Sequence, residues 1–185
     1  MDMGEVYISV GIETSGPVPE EYSILSIGAA VVGKLDMKFY AEVKPISDNS
    51  VESFLDSRFS MKKLYETGEE PSATIERFAE WVEFVSGDDM PIFVAFGTFD
   101  WMFIKWYLVK FDRENLFGQN NIDMRSYYMG ALGSTWEEAM NKKIPRFIVS
   151  NRGHTHNALD NALEQAEIFE KMLKYGQKGL AEHPL

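Results

Sequence analysis

Apolar residues alternate with polar ones through Val6, Ile8, Val10 and Ile12, which is the period of a strand with one buried face. The other face carries Tyr7, Ser9, Gly11 and Glu13, so Gly11 and Glu13 project to the same side about 7 Å apart. A polar turn with Pro17 and Pro19 follows. Residues 23–32 and 37–44 are predicted strands joined at Gly33 to Asp36, and such short connections favour an antiparallel meander. After a loop over 45–49, residues 54–66 predict short helical turns closing at Gly68. Pro71 then opens an amphipathic helix with Ile75, Phe78, Ala79, Val82 and Val85 at three-and-four spacing, ending at Gly87. A buried strand over 90–96 passes through Gly97 and Thr98 into a helix over 99–111, whose predicted core face is Phe99, Phe103 and Trp106. Residues 120–132 predict a helix, and Ser134 with Glu137 fits a capping box for another. The last helix is predicted over 157–175, burying Leu159, Ala162, Leu163, Ala166, Phe169 and Leu173. The order is that of an α/β protein: one domain is expected over 1–176, with 177–185 as a loose tail.

Composition narrows this picture more than it changes it. A chain of 185 residues with 45% apolar and 25% charged residues suits one soluble domain with a sizeable core. The absence of cysteine removes disulfides and thiolate metal sites, and together with an N-terminus that lacks a signal-peptide pattern it points to the cytoplasm. No apolar run reaches the length of a membrane span. The net charge of −11 argues against a broad nucleic-acid footprint, because nonspecific binding is mainly phosphate neutralisation. A narrow cleft taking one strand end stays open.

Three segments could carry chemistry: Glu13 at the end of the first strand, Asp100 at the mouth of the mid-chain helix, and the run from His154 to Ala162 at the start of the last helix. Each alone has an ordinary reading. Glu13 could be an exposed carboxylate before a turn, Asp100 a favourable first-turn helix residue, and a lone histidine a cap. Their order carries more information. Ile12-Glu13-Thr14-Ser15-Gly16-Pro17, Phe99-Asp100-Trp101-Met102-Phe103 and Thr155-His156-Asn157-Ala158-Leu159 together resemble the DEDDh exonucleases. That family includes polymerase proofreading subunits, oligoribonuclease and ribonuclease T. Its pattern is Asp-x-Glu-Thr on the first strand, Phe-Asp opening a mid-chain helix, and His-x-Ala-x-x-Asp-Ala on the last.

The resemblance implies an α/β ribonuclease H-like fold, a central mixed five-stranded sheet flanked by helices, and 3′→5′ exonuclease ancestry with Mg²⁺ or Mn²⁺ as cofactor. By the same resemblance Glu13 and Asp100 match metal-site carboxylates and His156 matches the general base, with Thr14 a candidate contact to terminal bases. Two positions depart: Gly11 and Asn161 stand where the family has Asp. Gly11 offers no side-chain oxygen, and Asn161 offers a carbonyl without the charge that favours dehydrating Mg²⁺. Formal charge at the site falls from four to two, so two-metal hydrolysis is expected to be weak or lost, on the order of 10³-fold or more. Asp160 is adjacent but about 100° around the helix, so it should point away. Reinstating both carboxylates, Gly11→Asp with Asn161→Asp, is expected to restore Mg²⁺-dependent hydrolysis.

Between Ala139 and Leu159 there is no acidic residue, whereas Lys142, Lys143, Arg146, Arg152, His154 and His156 all lie there. That local reversal of charge could cradle a phosphodiester backbone, with Lys143, Arg146 and Arg152 as substrate contacts, or be a solvated basic loop. The function class is therefore an exonuclease-family protein that acts on or binds a single-stranded DNA or RNA 3′ end. The alternative is a non-catalytic binding or partner-subunit relative. No membrane partner is implied, and a homodimer stays open.

Overall fold

The computed structural model describes residues 4–55, 60–113, 115–119, 121–140, 148–150, 152 and 157–182, with side chains as far as 176. Five strands form one mixed sheet in the order β3-β2-β1-β4-β5: β1 Glu5–Thr14, β2 Ile24–Val31, β3 Lys34–Glu42, β4 Met90–Ala95 and β5 Asn121–Asp123. The first three make the antiparallel meander that the short connections require. β4 and β5 are parallel to β1, each reached by a helical crossover. β1 is thus central, and it presents its carboxyl end beside the start of the next helical layer.

A 3₁₀ turn at Glu52–Phe54 and six α-helices complete the described chain: α1 Met61–Thr67, α2 Pro71–Ser86, α3 Phe99–Lys110, α4 Met124–Leu132, α5 Trp136–Met140 and α6 Ala158–Glu182. α2 and α3 cover one face of the sheet, where Ile8, Val10 and Ile12 meet Ile75, Phe78, Val82, Phe103 and Tyr107. The predicted face of α2 is the buried one: Ile75, Phe78, Ala79 and Val82 are inaccessible. α4 and α6 cover the other face through Met124, Tyr128, Phe169 and Met172. Among the described residues no helix is long and apolar enough to cross a membrane.

Four local expectations are corrected. Residues 121–123 are a strand, not the start of a helix; three residues are too few to show a period, and Asp123 then caps α4 by accepting from the Arg125 and Ser126 N–H groups. The capping box of α5 sits one residue later than expected: Thr135 Oγ1 accepts from the Glu138 N–H, and Glu138 Oε2 accepts from the Thr135 N–H at 2.9 Å. The core face of α3 is Phe103, Ile104, Tyr107 and Leu108, while Phe99 and Trp106 are only partly buried. The face turns because the Tyr107 hydroxyl reaches inward to accept the Ile24 N–H at 3.0 Å. Finally, the helix over 157–175 continues through the expected tail to Glu182, with no proline before that point.

Candidate active site

The site is built around a close approach of helix to sheet. Gly11 on β1 pairs directly with Gly28 on β2, so two neighbouring strands lack a side chain at the same level. The first turn of α6 rests in that notch. A Cβ added at Gly11 would lie 2.8 Å from the Ala158 carbonyl oxygen and 3.3 Å from both the Ala162 nitrogen and Asn161 Cβ. One added at Gly28 would collide with the Ala158 and Leu159 backbone more severely still. Glycine at 11 is therefore a packing requirement here.

The seated helix fixes the polar groups. Asn157 accepts the Leu159 and Asp160 N–H groups through Oδ1, and the Asn161 N–H bonds the Asn157 carbonyl at 2.9 Å, so α6 begins as a regular helix. Regular winding leaves Asp160 exposed and turns Asn161 toward the strand end, as expected from helix geometry. Asn161 Nδ2 donates to Glu13 Oε1 at 3.2 Å. Its Oδ1 is buried with no hydrogen-bond partner among the described residues.

Asp100 enters from α3, where Oδ1 accepts the Ile12 N–H at 3.1 Å. One strand end thus brings together groups separated by 88 and 148 residues. Burial pushes the Asp100 carboxyl up to about 7; nearby Glu13 adds to that rise, while the Ile12 N–H and the more distant Arg125 oppose it. Asp123 shows the contrary balance. Burial raises it, but the Ser126 hydroxyl and the N–H groups of Gly97, Arg125 and Ser126 outweigh burial and hold it below the ordinary range.

A cleft of about 450 Å³ opens beside these groups. Gly11, Ile12, Asp100 and Asn161 line it at the strand end, and Phe96, Arg125, Met140, Val149, Gln165 and Ile168 form other walls. Gln165, whose Oε1 accepts the Phe96 N–H at 3.0 Å, lies one turn after Asn161, a spacing visible in the sequence. Arg125 had no such signal, since nothing in its neighbourhood marks it as facing the cleft that Gly11 lines 114 residues earlier.

The remaining sequence candidates fare differently. Thr14 is buried, and its hydroxyl is committed to the Gly16 carbonyl at 2.9 Å. The Arg152 guanidinium is paired with Glu167 on α6 at 2.6 Å. His156, Lys143 and Arg146 lie outside the described residues.

A pair of divalent ions does not fit the described residues. Position 11, where the resemblance expects a carboxylate, is a glycine against backbone, and among the described residues no three His, Cys, Asp or Glu side chains are grouped to hold a metal. One ion at most would find the Glu13 and Asp100 carboxylates with the unpartnered Asn161 Oδ1, all oxygen donors suited to Mg²⁺ or Mn²⁺. The expectation that Gly11→Asp and Asn161→Asp simply return two ligands is corrected by the same observation: at position 11 the space is filled by the α6 backbone.

A sheet of this topology with carboxylates gathered at the end of β1 defines the class, a ribonuclease H-like exonuclease domain. The 3′-5′ DNA exonuclease Cap18 of Escherichia coli is 34% identical over 177 residues, covering 94% of this chain and 95% of that protein. With the site residues in DEDDh order, the chain belongs to the DEDDh 3′→5′ exonuclease family. No protein-family model matches it. The nuclease domain of 3′hExo, a DEDDh family member bound to rAMP, superposes with a TM-score of 0.71 at 14% identity, covering 91% of this chain and 92% of that one. Pop2p of S. pombe, in a form with Mg²⁺ and Mn²⁺ bound, gives a TM-score of 0.58 at 16% identity over 90% and 82% of the two chains. At those identities the likeness concerns the fold alone.

Proposed function

We propose that the chain binds the 3′ end of a single-stranded nucleic acid in this cleft, and that its metal-dependent hydrolysis is weak or lost. The observation that carries the reading is the seating of α6 on Gly11, which removes the bridging ligand while Glu13, Asp100 and Asn161 still converge. DNA is the favoured substrate, because the 34% identical relative is named a DNA exonuclease. A divalent ion would supply charge neutralisation at the scissile phosphate, held weakly by Glu13 and Asp100. His156 would accept a proton from the attacking water, a role for which an imidazole is chemically suited. The basic stretch over 139–159 supports the same reading by offering cations to the strand backbone in an otherwise acidic protein.

Labelled single-stranded DNA and RNA oligonucleotides, followed for binding and for mononucleotide release in Mg²⁺, Mn²⁺ and EDTA, test this. Binding that weakens with salt and favours DNA, with release on the order of 10³-fold below a four-carboxylate relative, is the expected pattern. Joint neutralisation of Lys142, Lys143 and Arg146 should weaken binding and flatten its salt dependence. Brisk Mg²⁺-dependent trimming, or no affinity for either oligonucleotide, would overturn the reading.

A further inference from the structure

Arg125 is the basic side chain among the described residues that line the cleft. It stands at the start of α4, where Asp123 accepts its N–H at 3.1 Å and so anchors its backbone. Its guanidinium lies over the Phe96 ring, 5.6 Å from the centroid, and one guanidinium nitrogen would be only 2.9 Å from a Cβ placed on Gly97. Gly97 has φ +82°, so the backbone conformation there and the room for the guanidinium both call for glycine. The side chain is half-buried, yet among the described residues it has no carboxylate partner within ion-pair distance. Asp100 is near enough to feel its charge but is not bonded to it.

A half-buried guanidinium that rests on a ring and meets no carboxylate keeps its donors available to an anion entering the cleft. In a metal-dependent cleft of this family the anion is drawn by ions held on four carboxylates. Here two of those carboxylates are Gly11 and Asn161, which reduces the repulsion that a phosphate would meet; Asp100 and Glu164 still line the space, and Arg125 faces it as the chain's own cation. The volume of about 450 Å³ suits one nucleotide, and Phe96, Met140, Val149 and Ile168 give it apolar surface for a base or sugar.

We propose that Arg125 takes the phosphate of the terminal nucleotide directly, so that this cleft binds a nucleoside monophosphate or a strand's 3′-terminal nucleotide without a divalent ion. The proposal rests on the nucleic-acid-end reading and adds to it the group that replaces the metal in binding. Arg125 is a binding residue in this scheme; no bond is made or broken by it. A guanidinium fork matches phosphate oxygens in two parallel hydrogen bonds, which an ammonium cannot reproduce.

The experiment is calorimetric titration of the whole protein with dAMP and with deoxyadenosine, in EDTA and again in Mg²⁺, beside binding of a short single-stranded DNA in both buffers. Expected are dAMP binding in EDTA, much weaker deoxyadenosine binding, and an affinity that Mg²⁺ changes by less than about threefold, the spread of a context effect. R125A should weaken dAMP about 10-fold to 100-fold, R125K less, and R125Q, which keeps a polar side chain but no guanidinium, nearly as much as R125A. Melting temperatures of R125K and R125Q report whether the fold survives, so loss of binding in a folded variant is attributable to the fork. If the DNA binds in Mg²⁺ but neither DNA nor dAMP binds in EDTA, or if folded R125Q binds dAMP as the parent does, the Arg125 proposal falls while the end-binding function stands. If the DNA binds in neither buffer, the proposed function falls, and Arg125 falls with it.

Discussion

Gly11→Asp is expected to lower the melting temperature of this protein, alone and together with Asn161→Asp, and to restore no Mg²⁺-dependent hydrolysis. The new Cβ would sit 2.8 Å from the Ala158 carbonyl oxygen, closer than real Cβ contacts come, and the obstacle is helix backbone that cannot rotate aside. Relief requires moving the first turn of α6, which carries Asn161 and follows directly on the His156 segment. Overpacking of this kind costs about 1–3 kcal/mol, or about 2–4 °C in Tm per kcal/mol for a chain of this size. The carboxylate would also face Glu13 across a site that has lost the hydrogen bond from the Asn161 amide in the double variant. Gly28→Ala should be the more damaging single change, because its Cβ runs into the Ala158–Leu159 peptide itself. Thermal melts of Gly11→Ala, Gly11→Asp, Gly28→Ala and Asn161→Asp would rank these effects. Asn161→Asp alone should be milder, since its side chain already lies in the cleft. A double variant that melts with the parent and trims DNA in Mg²⁺ would show that α6 shifts freely, and the account of the notch would have to be abandoned.

Asp100→Asn should stabilise the protein at alkaline pH and leave it unchanged in acid. The sign follows from linkage. The folded carboxyl holds its proton up to about 7, whereas the unfolded one releases it near the ordinary 3.8, so between those values the folded state binds more protons. Stability therefore falls as pH rises through that window; the deficit is complete above about 7 and absent below about 4. At about 1.4 kcal/mol for each pH unit its ceiling is about 4 kcal/mol. Asparagine keeps the oxygen that accepts the Ile12 N–H and cannot ionise, so it removes the deficit without breaking the contact. Melting curves of both proteins from pH 4 to 8 in EDTA should coincide at the acid end and separate by up to about 10 °C at the other. Curves that stay parallel would mean that Asp100 titrates as an ordinary carboxyl. The same substitution withdraws one of the two carboxylates proposed to hold an ion, so a gain in stability accompanied by weaker Mn²⁺ binding would mark a site whose strain serves its chemistry.

Much of this protein is determined by local sequence. The period-2 run from Val6 to Ile12, the three-and-four spacing from Ile75 to Val82, and the short connections of the meander specify strand, helix and antiparallel pairing, because each depends only on neighbours a few residues apart. Glu13, Asp100 and Asn161 could be singled out because their spacing and order match a known pattern, and the strand end does bring them together. Other features depend on contacts that no local pattern encodes. β5 is three residues long and exists because β4 supplies its hydrogen bonds. The inward turn of Tyr107 depends on an N–H group 83 residues earlier in the chain. Gly11 reads in sequence as a missing ligand, and only the tertiary approach of α6 shows it to be half of a glycine notch with Gly28. Arg125 had no mark at all until the fold set it on the same cleft as Gly11 and Asp100, whose walls come from separate parts of the chain. A side chain's chemistry is written at its own position; the space it must fill, and the charge it must face, are set by whichever backbone the fold brings against it.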